Sequence, residues 1–441
     1  MANIKDRQTR YLVPGVTTYY EKPLVLVKGD GRRVTDTTGR TYLDFFGGIL
    51  TVSVGHAHPA IAAAVTDQVQ RLVHTSTLYM TEPMVDLAEK LAEITPGDLE
   101  QSFFTTSGTE ANETAVAMAQ LATGHQDVLA LRHSYSGRSQ AAMGLTGQSA
   151  WKLGGAGMAL PIRHTQNAYC YRCPFGKTPD RCGLECARDA EAFIRTATSG
   201  RLAALIAEPI QGVGGFITPP PAFFQELVPI VRKYGGLFID DEVQTGFGRT
   251  GKRFGIEHYG IVPDIMTFAK GLANGLPIGA TVTTAAIGAR YTGPTISTFG
   301  GNPLSMRAAL ATLNVIETEN LTENARVTGL LLREGLEELS DRYPAIGDVR
   351  GLGLMQGLEW VRHDKTPAPD LAAEFLEATG ELGLLVGKGG LYGNVIRIAP
   401  PLTVTVGEVR EALELMNQAT ALVYAHHPEL QDIPSTRIHY V

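Results

Sequence analysis

The sequence predicts an α/β fold: a mostly parallel central sheet with helices on both faces, followed by a smaller α+β domain at the C-terminus. Three observations carry this reading. From Ser102 onward, short apolar runs alternate with segments of helical period: "SFFTT" then "GTEANETAVAMAQLA", "LAALIAEPI" then "PAFFQELVPIVRKYG", and then "GLFIDDEV" and "PDIMTFAKG". Runs of about four to eight residues rich in Ile, Phe, Val and Leu, spaced by about 10 to 15 residues of helical pattern, mark strands of a parallel sheet. The chain is 441 residues long and 44% hydrophobic, more than one core of about 100 to 200 residues absorbs, so two or three subdomains are expected. After about residue 316 the alternation stops, and a long helical pattern, "ENARVTGLLLREGLEELSDRY", precedes a Gly-rich strand pair around "VRGLGLMQGLEW", another helix and "NVIRIAPPL".

Upstream of the alternation, "LVLVKGDGRRVTDTTGRTYLDF" reads as strands and turns, and "AIAAAVTDQVQRLV" and "PMVDLAEKLAEI" as amphipathic helices. The expected division is 1–50, joining the small domain; 51–315, the large domain, with a cysteine-rich insertion at 168–187; and 316–441, the small domain. The net charge of -7 and the lack of a long basic run exclude the electrostatic footprint of a nucleic-acid binder, which leaves small molecules and other protein chains as partners. No apolar window reaches the roughly 18 residues of a membrane span, and the start lacks a secretory apolar core, so a soluble, cytoplasmic protein is expected.

Lys270 in "TFAKGLANG" stands between an apolar run and a glycine-rich turn. Desolvating an ammonium is costly and lowers its pKa, which suits a lysine to act as a nucleophilic amine toward a carbonyl. Twenty-nine residues earlier, "LFIDDEVQTGFGRTG" is an apolar strand ending in Asp240 and Asp241. A carboxylate at one strand end and a lysine at another are what a pyridoxal phosphate site requires, the first holding the pyridine nitrogen protonated and the second carrying the aldehyde. On the two-residue strand period Asp241 and Val243 face the same way, so Val243 can pack on the ring and Gln244 can sit near its oxygen, while Asp240 points away to a structural role. "TTSGTEANETA" puts Ser107, Gly108 and Thr109 at a helix start, where free N–H groups and hydroxyls favour a phosphate, although Ser107 or Thr109 also suits an ordinary N-cap. Gly246, Gly248 and Gly251 match the dinucleotide-binding G-x-G-x-x-G, but "KRFGIEHYG" after them is no clean helix, which makes a nicotinamide dehydrogenase the minor alternative.

With these residues in hand, the chain resembles the class III pyridoxal-phosphate-dependent aminotransferases of fold type I from about residue 20 to the C-terminus. Within that class it is most similar to the alanine–glyoxylate aminotransferase type 2 group, which also handles β-alanine and 3-aminoisobutyrate with pyruvate or glyoxylate. The carrying stretches are "YLDFFGGILTVSVGHAHP", "HTSTLYMTEPM", "SGTEANETA", "AEPIQGVGG", "DEVQTGFGRTG", "PDIMTFAKG", "TFGGNP" and "GLLVGKG…IRIAPPL". The resemblance implies that Lys270 binds the cofactor and moves the proton, Asp241 pairs with the ring nitrogen, Val243 covers one ring face and Tyr135 of "HSYSG" the other. Relatives often carry His or Trp after that aromatic, where this chain has Ser136. It further implies that Gly108 and Thr109 hold the phosphate, with Thr298 reaching it from the neighbouring subunit of a dimer, or of a tetramer. Arg397 in "VIRIAPP" would grip a substrate carboxylate, and Glu208 in "AEPIQG" would pair with that arginine when a carboxylate-free end enters. Ping-pong transamination follows; a racemase or phospholyase could share Lys270, Asp241 and the phosphate loop. Phe46, Leu50, Tyr79 and Trp151 are candidates for the donor pocket.

All four cysteines, Cys170, Cys173, Cys182 and Cys186, fall in "CYRCPFGKTPDRCGLEC". Four thiols so close in a reducing compartment predict a structural metal centre, tetrahedral zinc or an iron–sulfur cluster, though the spacing matches neither the common zinc-ribbon nor the ferredoxin pattern. A loop of reduced thiols or a disulfide pair is the competing reading.

Overall fold

The structure, a computed structural model, describes residues 4–153 and 161–438; the outermost ends of the expected first and last domains lie outside them. After an exposed helix, Ile4–Tyr11, strands β1 (Leu26–Asp30), β2 (Arg33–Asp36) and β3 (Thr41–Asp44) form an antiparallel meander. Gly31 and Gly39 supply the positive φ at its two turns. The two amphipathic segments fold as helices Pro59–Arg71 and Glu82–Ile94, each with proline in its first turn, where the missing N–H costs nothing.

The central sheet has seven strands: β4 (Leu99–Thr105), β5 (Asp127–Leu131), β6 (Ile162–Thr165), β7 (Leu202–Ala207), β8 (Leu237–Asp241), β9 (Ile265–Phe268) and β10 (Gly279–Thr284). Their order is β4-β10-β9-β8-β7-β5-β6, parallel from β9 through to β6, with β10 antiparallel to both its neighbours. The register explains the two-sided burial. Leu129, Leu205 and Phe238 lie side by side and join a core with Phe223, Phe224 and Leu227 of the helix Phe223–Lys233. One residue on, Ala130, Ile206 and Ile239 face the other way, onto Ala115, Val116 and Ala119 of the helix Gly108–Thr123. The alternation of side chains across the pleat thus requires a helix on each face.

Beyond the sheet, the helix Pro303–Thr318 is separated from Leu321–Arg342 by Asn320 in the left-handed region. Strands β11 (Ile346–Leu352), β12 (Met355–Trp360), β13 (Leu384–Leu385), β14 (Gly387–Gly389) and β15 (Val395–Ile398) follow. Four of them make a second sheet, β11-β12-β15-β14, while β13 pairs parallel with β3 and so joins the N-terminal meander to the C-terminal part. The glycines of "GFGRTG" do not open a helix: a short 3-10 turn, Gly255–Tyr259, follows. Gly248 and Gly251 have positive φ, and a Cβ would lie 2.8 Å from Thr322 Oγ1 at Gly248 and 3.1 Å from Arg326 at Gly251. Both serve close approach of this loop to the helix Leu321–Arg342, which leaves the dehydrogenase reading without its phosphate-binding helix.

Candidate active site

Three adjacent parallel strands deliver acid, acid and amine to one end of the sheet. Ala207 of β7 is in register with Asp240 of β8, and Asp241 with Thr267 of β9, so Glu208, Asp241 and Lys270 emerge together at the carboxyl ends, where open α/β sheets bind ligands. Lys270 has φ 41, a conformation that favours glycine and costs a lysine roughly 1–3 kcal/mol. The turn is held by Asn274, whose side chain accepts from Val54 N–H at 2.9 Å and donates to Gly55 O at 2.9 Å.

Lys270 keeps part of its surface open, yet its surroundings lower its pKa to about 8, desolvation dominating over the opposing pull of Asp241 and Glu208. Glu208, buried, is pushed up to about 8 by desolvation and then by Asp241. Burial also raises Asp241, against hydrogen bonds from Asn112 and the Val243 N–H. The sign for Lys270 follows: in the cofactor-free protein the unfolded chain binds more protons between pH 8 and 10.5, so this group adds stability as pH rises through that window. Below pH 8 its neutral fraction falls about tenfold per unit. Capture of pyridoxal phosphate by the cofactor-free protein is therefore expected to accelerate up to about pH 8 and then level off, as followed by absorbance; a rate flat from pH 6 to 8 would exclude a lysine of this pKa.

Asp241 accepts Asn112 Nδ2 at 2.8 Å and Val243 N–H at 3.1 Å. Asn112 also donates to Ser136 O at 3.1 Å and accepts from the Thr267 hydroxyl at 2.7 Å, which ties the helix Gly108–Thr123 to β8 and β9. Sequence reasoning missed this residue; its signal is an asparagine four positions after Gly108, one turn into the helix and on the same face. Asn112→Ala removes a buried donor to a carboxylate and is expected to cost about 1–3 kcal/mol of stability, read as a lowered Tm.

Ser107 is the N-cap, accepting from Glu110 N–H at 3.3 Å, so the ordinary capping role is realised. Thr109 Oγ1 accepts from Arg138 N–H at 3.2 Å, and Gly137 packs so closely on Thr109 that a Cβ there would clash. A Cβ on Gly108 would come within 3.0 Å of the Val243 methyls and 3.5 Å of Ala269, which shows that the helix start, the end of β8 and the end of β9 meet. Gln244 Oε1 is buried and has no donor, and its side chain fills the space that a Cβ on Gly212 would need. Tyr135 donates its N–H to Glu208 at 3.0 Å, and its ring meets Trp151 edge-on at 5.4 Å. Thr298 lies elsewhere, exposed in the loop 289–302 beside the exposed Ile296 and Phe299. Tyr79 is exposed, whereas Leu50 is buried in left-handed backbone.

Arg397, on β15, is buried between rings, its guanidinium 4.9 Å from the centre of Phe46 and 5.8 Å from that of Phe216. Nε and Nη2 donate to Lys388 O at 3.2 and 3.0 Å, Nη2 reaches the Tyr19 hydroxyl at 3.4 Å, and Nη1 is buried without a partner. Glu208 does not pair with it here: its oxygens accept from Tyr135 N–H and, at 2.8 Å, from Gly212 N–H.

The cysteines require a correction. Cys170, Cys173, Cys182 and Cys186 line one small cavity, yet among the described residues no group of three or more His, Cys, Asp or Glu side chains is arranged to hold a metal ion. The expected zinc or iron–sulfur centre finds no support in this arrangement, and the four cysteines form no disulfide. Local partners explain why. Cys182 Sγ accepts from Leu184 N–H at 3.2 Å and faces the Glu185 carboxylate at 3.6 Å, while Cys186 packs in the core. Burial, and then the neighbouring cysteines, push Cys170 and Cys186 up to about 12.

The sheet order and the acid–acid–amine constellation define a fold type I pyridoxal-phosphate transferase. The chain belongs to the family Aminotransferase class-III, whose pattern matches residues 16–420, and pyridoxal phosphate is the cofactor of that class. It is 45% identical over 417 residues to alanine–glyoxylate aminotransferase 2 homolog 2, mitochondrial, of Arabidopsis thaliana, covering 94% of this chain and 86% of the relative. It is 38% identical over 426 residues to the leucine/methionine racemase of Thermococcus litoralis, covering 95% of each. Among solved structures, the (S)-enantioselective omega-transaminase of Thermomicrobium roseum superposes with a TM-score of 0.87 at 33% identity, over 98% of this chain and 100% of the other. The protein is a class-III aminotransferase.

Proposed function

We propose that the chain moves an amino group from an amino acid or ω-amino acid of the alanine, β-alanine or 3-aminoisobutyrate type to pyruvate or glyoxylate, in two ping-pong halves. The observation that carries this reading is the convergence of Glu208, Asp241 and Lys270 at the carboxyl ends of three adjacent parallel strands, where Lys270 is desolvated and feels Asp241, Glu208 and Arg397. The residues fit the cofactor: a buried carboxylate awaits a cationic N–H, Gln244 offers an unmet acceptor, and the helix start at Ser107–Thr109 offers N–H groups to a phosphate. When bound, pyridoxal phosphate supplies an aldehyde that condenses with amines and a ring that draws electrons from the substrate Cα. Asp241 would hold the ring nitrogen protonated, Val243 and Tyr135 would flank the ring, and Gln244 would orient its oxygen. Lys270 Nζ, neutral near pH 8, takes the substrate Cα proton and returns it. Arg397 Nη1 receives a substrate carboxylate, and the aromatic faces around it exclude water.

Asp241→Asn keeps the size but removes the charge, and is expected to lower kcat/KM by about 10²-fold. An unchanged rate would contradict the assignment. Thr298 of a second copy would complete the phosphate site in a homodimer, or in a tetramer. Exposed Leu78, Tyr79 and Met80, with Ile296 and Phe299, support such an interface. The parallel β3–β13 pair supports placing 1–50 with 316–441 and leaving 51–315 as the large domain. No helix among the described residues is long and apolar enough to cross a membrane, in keeping with the cytoplasmic location we propose.

The racemase relative makes product analysis essential. With β-alanine, the cofactor absorbance should bleach and then return on adding pyruvate, with alanine formed in equal amount. Inversion of an amino acid without any keto product would replace this reading with racemisation.

A further inference from the structure

A cavity of about 470 Å3 lies apart from Lys270, Asp241 and Arg397, none of which lines it. It is enclosed by the helix Leu321–Arg342 and the β11–β12 hairpin on one side and by the loop 218–221 on the other. Its volume falls in the range of small-molecule sites, about 300–1,000 Å3. Pro219, Pro220, Pro221, Leu330 and Leu352 form apolar walls. At its depth stands Gln356, 1% exposed, whose Nε2 donates to Gly353 O at 2.9 Å while Oε1 is buried without any donor. A buried acceptor left unmet is costly, and this one lines a space large enough for a ligand to satisfy it.

Charge defines the other end. Among the described lining residues none is acidic, and three are arginines. Arg350 is already committed to Asp348 and Glu359, and burial keeps His258 neutral by lowering its pKa to about 4. Arg326, exposed, and Arg333, partly exposed, stand about two turns apart on the helix and among the described residues pair with Glu323 and Glu337 of that same helix. Such surface pairs are weak and readily exchange for a ligand carboxylate.

We propose that this cavity is a second, non-catalytic binding site for a small amphipathic acid: a carboxylate at Arg326 and Arg333, a ring-sized apolar body between the prolines and Leu330, and an O–H or N–H donor at Gln356. The probe is 4-hydroxyphenylacetate, titrated calorimetrically into the cofactor-loaded protein. Saturable binding of one molecule per chain is expected, about fivefold weaker with phenylacetate, which lacks the donor, and about fivefold weaker in Arg326→Ala and in Gln356→Leu. Arg326 is exposed, so that variant tests the site even where Gln356→Leu perturbs folding. Arg397→Ala should retain the binding. Absence of saturable binding overturns the proposal, and so does binding that Arg397→Ala abolishes while the cavity variants leave it intact, because the acid then occupies the transamination site. The bleaching of the cofactor by β-alanine reports the transamination reading independently.

Discussion

Lys270→Ala is expected to lower kcat/KM for transamination on the order of 10⁴-fold or more, while the protein stays folded. In the function proposed above the lysine does two jobs, holding the cofactor covalently and moving the Cα proton, and positioned acid–base catalysis alone is worth about 10²–10⁴. Replacement leaves the neighbourhood intact. Asn274 still ties the turn to Val54 and Gly55, and alanine inherits the same strained φ of 41, so Tm should change little. The removed ammonium had been destabilised by burial, so its loss does not leave an acid newly unpaired: Asp241 keeps Asn112, and Glu208 keeps two backbone N–H groups. Single-turnover kinetics of the reconstituted variant measure the loss, and added methylamine should restore part of the proton-transfer rate. A loss below about tenfold would assign the proton transfer to another group.

Arg350→Met is expected to destabilise the protein by about 3–5 kcal/mol, read as a lowered urea midpoint. Arg350 is 1% exposed, and its Nη1 meets Asp348 Oδ2 at 2.7 Å and Glu359 Oε2 at 2.6 Å, while Nε donates to Gly215 O at 2.9 Å. The guanidinium also lies over the Tyr169 ring, 5.0 Å from its centre. Methionine replaces the volume but takes the shared guanidinium away from two buried carboxylates, of which Glu359 keeps Arg172 at 2.6 Å. The cost therefore comes mainly from keeping two acids buried without this guanidinium, and adding Asp348→Leu to the same chain should recover part of it. If Arg350→Met shifts stability by less than about 1 kcal/mol, the acids are being protonated or hydrated at no cost, and the network does not brace the second sheet.

The same bond explains why this distant residue bears on the site. Gly215 belongs to the turn that follows β7, and Gly212 in that turn donates to Glu208. Loss of Arg350 is thus expected to weaken the hold on the second sheet before it touches any reacting group.

Much of the site was legible because its signals are local. Lys270 stands out as an ammonium at the end of an apolar run, Asp241 as a carboxylate ending another, and Ser107–Thr109 as a helix start, and each is set by residues within a few positions of itself. Asn112 was not legible, since its value lies in an aspartate 129 residues away. Tyr19 was missed for the same reason: it meets Arg397 across 378 residues. For the cysteines, closeness in sequence suggested a shared metal that the structure does not support: Cys182 meets Leu184 N–H and Glu185, and Cys186 packs in the core.

By itself, then, the order of residues determined the strand and helix periods, the two-sided sheet and the chemistry available at the strand ends, since hydrophobic periodicity and turn residues act over a few bonds. Only the tertiary structure decided which groups share one dielectric environment: that desolvation lowers the Lys270 pKa to about 8 beside Asp241, Glu208 and Arg397, that Glu208 bonds backbone rather than Arg397, and that no disulfide joins the four cysteines. Desolvation and charge coupling depend on distance and burial in space, and neither is written in spacing along the chain.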